Sequence, residues 1–336
     1  MAMQAAFTTA LLRWFAQYGR ELPWRGISDP YGIWVSEIIL QQTRIEQGRD
    51  YWLRFMERFP TVGALADASE DEVLRQWQGL GYYSRARNMH AAARQIVAQG
   101  GFPRTVEGLR ALKGVGDYTA AAVGSMAFGL PAAAVDGNVY RVLARHYGID
   151  VPINTTQGKH TFQAMAQDLL PEGEASAFNQ AMMDFGATWC TPRSPRCMDC
   201  PVADTCDALR TGRVDQLPVK EKKLKVQERR FTYIYIRYKG TTALRRRPAG
   251  DIWQGLWEPL LVENGPMPDL GCPLTLLASG IKHVLTHRVL FADFYLAEPV
   301  KRPVLPDEYQ WIKERDLDDY AVPRLLQKLF DLISAR

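Results

Sequence analysis

The sequence predicts a helical first domain joined to a smaller α+β second domain. Three observations carry that prediction. Helix-start signals and short Gly- or Pro-marked breaks recur up to about residue 212, without strand alternation. Four of the five cysteines fall within seventeen residues near the end of that region. After residue 230 the texture changes to β-rich alternation. The expected spans are 1–212 for the helical domain, 213–228 for a linker and 229–336 for the α+β domain. A length of 336 residues favours two domains, and 47% apolar residues allow each its own core. A net charge of +4 permits a polyanionic partner without demanding one. The sequence has no run of about 18 apolar residues, so no membrane-spanning helix is expected. Met1–Leu12 lacks a basic n-region and reads as the start of an amphipathic helix, which implies a cytoplasmic location.

Each element has its own signal. Asp29-Pro30 sets an N-cap before a proline at the first helical position, ahead of Ile33, Trp34 and Ile38. Ser69-Glu70-Asp71-Glu72 has the form of a capping box before Val73, Leu74 and Trp77, and Gly79 and Gly81 stop that helix. Lys220–Arg230 holds six basic and two acidic residues, which suits a solvated linker and equally one that touches phosphate. Phe231, Tyr233 and Tyr235 alternate with Thr232, Ile234 and Ile236, and Val284–Leu296 has a similar strand texture. Leu325, Leu326, Leu329, Phe330 and Ile333 mark one face of a closing helix over Pro323–Ser334.

Cys190, Cys197, Cys200 and Cys206 are spaced C-x6-C-x2-C-x5-C, while Cys272 stands alone. In a reducing compartment such a group is a metal site rather than a disulfide frame. Residue type alone admits four-thiolate zinc as well as a 4Fe–4S cube. Arg193 and Arg196 inside the loop suit a phosphate contact or plain solvation.

Leu112–Ala120 reads L-K-G-V-G-D-Y-T-A, a turn between helices. Gly114 and Gly116 let that turn approach a phosphate closely, and the next helix aims its free amides at the anion. Further along, V-D-G-N-V places Asp136 where it is either a simple N-cap or a carboxylate beside a substrate. Glu37 lies among Val35, Ile38 and Ile39, unusual for a solvated residue, although exposed glutamates are the rule.

Taken in order, L-P-W-R (22–25), S-E-I-I-L-Q-Q-T (36–43), G-L-G-Y-Y-S-R (79–85), the V-G-D-Y-T hairpin, V-D-G-N-V, F-N-Q-A-M-M (178–183) and the cysteine loop closely resemble the MutY family of adenine DNA glycosylases. That family lies within the endonuclease III, helix-hairpin-helix superfamily. The likeness is strong to residue 206 and weak beyond 230. It implies an all-α helix-hairpin-helix glycosylase domain whose cysteine loop holds a 4Fe–4S cluster, followed by a Nudix-like α+β domain.

The implied chemistry is glycoside cleavage through an oxocarbenium-like transition state. The resemblance makes Glu37 the acid that protonates adenine N7 and Asp136 the stabiliser of the sugar cation, supported by Tyr118 and Asn138. Apolar surroundings must then raise the pKa of Glu37. Trp24, Arg25 and Gln180 are expected to line the pocket of a flipped-out adenine, with core packing the plainer account of Trp24. Gln42 and Tyr82 are expected to fill or wedge the base stack, Thr43 to meet the opposite base, and Lys113, Gly114 and Gly116 to bind phosphate. Bifunctional relatives carry a lysine at the position of Tyr118, so its absence argues for a monofunctional enzyme. An endonuclease III-like glycosylase/lyase for oxidised pyrimidines is the alternative, and a non-catalytic DNA sensor fits less well with both carboxylates in motif context.

The implied partner is double-stranded DNA with A:8-oxoguanine or A:G mispairs, met by a monomer with no membrane association. The second domain of the family senses 8-oxoguanine through a Phe-Ser-His loop; here Leu285-Thr286-His287 stands in its place. A hydroxyl survives and an aromatic wedge does not, so the preference for 8-oxoguanine is less determined than adenine removal. No R-E-x-x-E-E run is present to hold magnesium for nucleotide hydrolysis.

Overall fold

The computed structural model describes residues 2–41, 43, 45–221, 227–285 and 287–335. Helices follow one another through the first two thirds: α1 (Ala2–Tyr18), α2 (Pro30–Ile39), α3 (Ile45–Arg58), α4 (Val62–Asp67), α5 (Glu70–Gln76), α6 (Ser84–Ala98), α7 (Val106–Arg110), α8 (Asp117–Phe128), α9 (Gly137–Tyr147), α10 (Thr156–Asp168), α11 (Ala175–Thr188) and α12 (Asp207–Arg210). Strands β1 (Gln227–Ile236), β2 (Thr241–Arg246), β3 (Trp257–Glu258), β4 (Leu260–Val262), β5 (Leu274–Val284), β6 (Arg288–Ala297) and β7 (Tyr309–Lys313) come next, and α13 (Arg324–Ser334) closes the chain. Among the described residues no helix is long and apolar enough to cross a membrane. The chain divides into two compact units, residues 1–67 with 91–222 and residues 68–90 with 223–336, so α5 and the start of α6 belong to the second unit.

The first unit is built on the capping chemistry that its sequence announces. Asp29 accepts from the N–H groups of Tyr31 and Gly32 ahead of Pro30, and α2 starts there. Its core gathers Phe7, Leu11 and Trp14 of α1 against Val142 and Leu143 of α9 and Phe178, Met182 and Phe185 of α11. α8 starts at Gly116, which has no side-chain cap; its first-turn amides are therefore not satisfied by a capping side chain.

In the second unit the Ser69 capping box forms as its sequence predicts. The sheets run β4-β1-β6-β5 and β3-β2-β7. β1 and β6 pair in parallel, with Tyr233 opposite Phe294. Alternation sends Phe231, Tyr233 and Tyr235 toward α13 and Ile234 and Ile236 toward Ala243 and Leu260. Both faces of β1 are thus buried, which is why its sequence is apolar on both. β1 begins at Gln227, inside the span read as linker, because its N–H already bonds the His287 carbonyl at 3.1 Å. The strand texture read from Val284 to Leu296 divides in two: β5 ends at Val284 and β6 starts at Arg288. A 2.8 Å bond from Leu285 N–H to the Arg288 carbonyl closes the turn between them.

Candidate active site

α2 is apolar on every side and is buried from Tyr31 to Ile39, so Glu37 is carried into the interior at 7% exposure. The solvated alternative for this residue is thereby excluded. The Tyr118 hydroxyl donates to Glu37 Oε2 at 2.6 Å and lies 3.2 Å from the Met183 sulfur. Burial pushes the Glu37 carboxyl up to about 7; the Tyr118 hydrogen bond opposes the rise, Asp136 adds to it and Arg25 opposes it. Burial likewise raises the Tyr118 phenol well above its ordinary value.

Asp136 is indeed the N-cap of α9, accepting from the N–H groups of Asn138 at 2.9 Å and Val139 at 2.8 Å. Its other oxygen takes a 2.8 Å bond from the Asn138 amide. Burial raises its pKa, while the bonds from Val139 and Asn138 hold the rise back. Capping therefore does not compete with a chemical role; it fixes the carboxylate at the head of the helix. Arg141 locks Asn138 through a 2.8 Å bond to its oxygen and donates to the Gly186 carbonyl at 2.7 Å and the Cys190 carbonyl at 2.8 Å. α11 comes this close because residue 186 is glycine: a Cβ there would lie 2.5 Å from Asn138 Cβ.

Glu37, Tyr118, Asp136 and Asn138 line a cavity of about 1000 Å³ together with Trp24, Arg25, Thr43 and Gln180. Trp24 is also packed edge-on against Trp52, so its core role and its lining role coexist. Gln180 donates to Ser176 in the preceding turn of α11. Lys113, Gly114 and Gly116 form the turn leading into α8, two residues before Tyr118, with Lys113 and Gly114 exposed and Gly114 at φ +76°. Tyr82 belongs to the second unit, half exposed, in the left-handed region at φ +48° that tyrosine rarely adopts. Leu285 and His287 sit at the tip of the β5–β6 hairpin in that unit. Gln42 and Thr286 lie outside the described residues. Sequence reasoning missed Arg20 and Asp184 in the cavity wall. Helical spacing held the signal, since Asp184 lies four residues beyond Gln180 and shares its face.

Cys190, Cys197, Cys200 and Cys206 line one small separate cavity. Among the described residues no three His, Cys, Asp or Glu side chains are grouped to hold a single metal ion. Four thiols around one cavity are the donor set that a 4Fe–4S cube takes, one thiolate per iron. Burial and the neighbouring thiolates push the thiols of Cys197, Cys200 and Cys206 up, a load that a cationic iron core relieves. The residues fit a 4Fe–4S cluster. Arg145, 3% exposed, ties the loop down through the Thr191 carbonyl at 2.7 Å and the Val214 carbonyl at 2.9 Å. Arg196 lies over the Trp189 ring.

Residues 35–171 match the model of the HhH-GPD superfamily base excision DNA repair protein, residues 190–206 that of the iron–sulfur binding domain of endonuclease III, and residues 232–332 that of the NUDIX domain. These matches set a helix-hairpin-helix domain, an iron–sulfur loop and a NUDIX domain in one chain. An adenine DNA glycosylase of Buchnera aphidicola subsp. Baizongia pistaciae (strain Bp) is 34% identical over 255 residues, covering 75% of this chain and 72% of that one. The chain belongs to the adenine DNA glycosylase family. The Mus musculus adenine DNA glycosylase is 42% identical over 227 residues, 63% of this chain but 44% of its own length, so the chain matches less than half of that relative. The solved structure of a thermostable thymine-DNA glycosylase superposes with a TM-score of 0.58 at 30% identity, covering 62% of this chain and 98% of that one.

Proposed function

We propose that this protein is a monofunctional adenine glycosylase that acts on double-stranded DNA and removes adenine opposite 8-oxoguanine or guanine, leaving an abasic site. The observation that carries the reading is Glu37, a buried carboxyl held by Tyr118 with a pKa of about 7 in the same cavity as Asp136. Such an acid still holds its proton near neutral pH and delivers it to adenine N7, which turns a poor leaving group into a good one. Asp136, held in place by the N–H groups of Asn138 and Val139 and by the Asn138 amide, faces the sugar cation that develops. The cavity has room for a base swung out of the duplex. The hairpin turn before α8 offers backbone amides to a phosphate, with Lys113 beside it. Because residue 118 is tyrosine, no amine stands there to form a Schiff base.

The 4Fe–4S cluster, held by Cys190, Cys197, Cys200 and Cys206, fastens the loop that follows α11 when bound. The second unit is read as the sensor of the opposite base, through the segment Leu285-Thr286-His287, of which Leu285 and His287 sit at the hairpin tip. Asp251 supports that tip by binding Arg288 at 3.0 Å and Arg229 at 2.5 Å. α13 carries Asp331 as its single carboxylate, which is no platform for the magnesium of a nucleotide hydrolase.

The test is a panel of duplexes with one adenine opposite 8-oxoguanine, guanine or thymine, each product examined before and after hot alkali. Strand breaks that appear only after alkali, and fastest opposite 8-oxoguanine, are expected. Untouched adenine, or nicking without alkali at oxidised pyrimidines, would overturn the reading in favour of a glycosylase/lyase.

A further inference from the structure

Asp184 of α11 is 1% exposed and is gripped by two arginines. Both terminal nitrogens of Arg25 donate to it at 2.7 Å in a two-point fork. Arg20 binds it through Nε at 3.1 Å, through Nη2, and through its backbone N–H at 3.0 Å. Arg25 also donates to the Arg20 carbonyl at 2.6 Å, which closes the three residues into one unit. All three line the cavity that holds Glu37. Burial alone would push the Asp184 carboxyl up, but the bonds from Arg25 and Arg20 more than offset it and keep the group charged.

We propose that Asp184 is the positioning residue of this cavity: it fixes the guanidinium groups of Arg20 and Arg25 against its wall and balances the positive charge that Arg25 directs at Glu37. The inference rests on the reading of Glu37 as the proton donor. Tyr118 from α8, Asp136 at the head of α9 and Arg25 from the loop after α1 act on Glu37, and Glu46 of α3 lines the same cavity. Arg25 favours the charged form of Glu37, so its field must be tempered if the proton is to stay on near neutral pH. A carboxylate bonded to both guanidinium nitrogens is placed to do so. Removing it takes from both guanidinium groups the carboxylate that orients them and leaves Arg25 only its bond to the Arg20 carbonyl.

The experiment measures single-turnover adenine release from an A:8-oxoguanine duplex between about pH 5.5 and about pH 9. It compares the full-length chain with Asp184→Asn, Asp184→Glu and Arg20→Gln. Asp184→Asn is expected to slow release about tenfold at neutral pH and to move the high-pH limb down by about one unit. Asp184→Glu should restore the limb in part. Arg20→Gln removes one cation and leaves Asp184 wholly to Arg25, so its limb moves up, the opposite sign. A purely structural role lowers the rate without moving the high-pH limb, and that result in folded protein overturns the proposal. If Asp184→Asn does not fold, Arg20→Gln decides: an upward limb supports the proposal and an unmoved or lower one refutes it. Failure of the wild-type chain to release adenine at all would instead refute the assigned activity.

Discussion

The buried carboxyl of Glu37 makes opposite demands on chemistry and on stability. Its folded pKa of about 7 lies above the ordinary 4.5, so its contribution to stability is full below about pH 4.5 and is lost as pH rises through 7. Glu37→Gln should therefore abolish adenine release and at the same time stabilise the fold at pH 8 by about 2–3 kcal/mol, with little gain near pH 4.5; urea unfolding at the two pH values measures this. A variant equally stable to wild type at both would show that the side chain is solvated. Tyr118→Phe removes the bond that lowers the Glu37 pKa, and the high-pH limb of release should shift upward. The apolar neighbours Val35, Ile38 and Ile39 were legible beside Glu37, but its burial was not. Closure on every side of α2 is a property of the packed helices, not of the local sequence.

At the scale of elements, the close pairing of α9 and α11 sets the carboxylate of Asp136. Gly186→Ala forces a methyl group onto Asn138 and should destabilise the protein by about 1–3 kcal/mol while cutting release at least about tenfold. Thermal melting and single-turnover rates measured together would check both halves, and an unaltered rate would free Asn138 from its assigned support of Asp136. Gly114 is held at φ +76°, so Gly114→Ala should cost about 1 kcal/mol and weaken duplex binding alike for every sequence, as read by fluorescence anisotropy. Caps, hairpin glycines and the cysteine spacing were readable because each depends on residues a few positions apart. The pairing of Arg20 with Asp184 was not, since it joins segments 164 residues apart and Arg20 sits in no motif; only the helical face that Asp184 shares with Gln180 hinted at it.

At the scale of the molecule, strands follow helices in the order the sequence predicts, but β1 starts at Gln227 inside the expected linker and residues 68–90 join the second compact unit, which the sequence did not announce. That segment is tied there by Arg246, which binds Glu70 at 2.8 Å and Asp71 at 3.1 Å, and by Arg75 with Asp319 at 2.9 Å. Exposed ion pairs of this kind leave no trace in apolar periodicity. The iron–sulfur loop is held together by four thiols and Arg145, so Cys197→Ser should lower iron content, bleach the yellow-brown absorbance and lower the melting temperature together. Full iron occupancy in that variant would remove Cys197 from the ligand set.

The measurement that bears most directly on this account is the pH dependence of adenine release in a single turnover by the wild-type chain. A protonated Glu37 as donor predicts a rate that is level below about pH 7 and falls about tenfold per unit above it. A rate that stays level through pH 9 would mean that the proton comes from elsewhere and that Glu37 is not the acid.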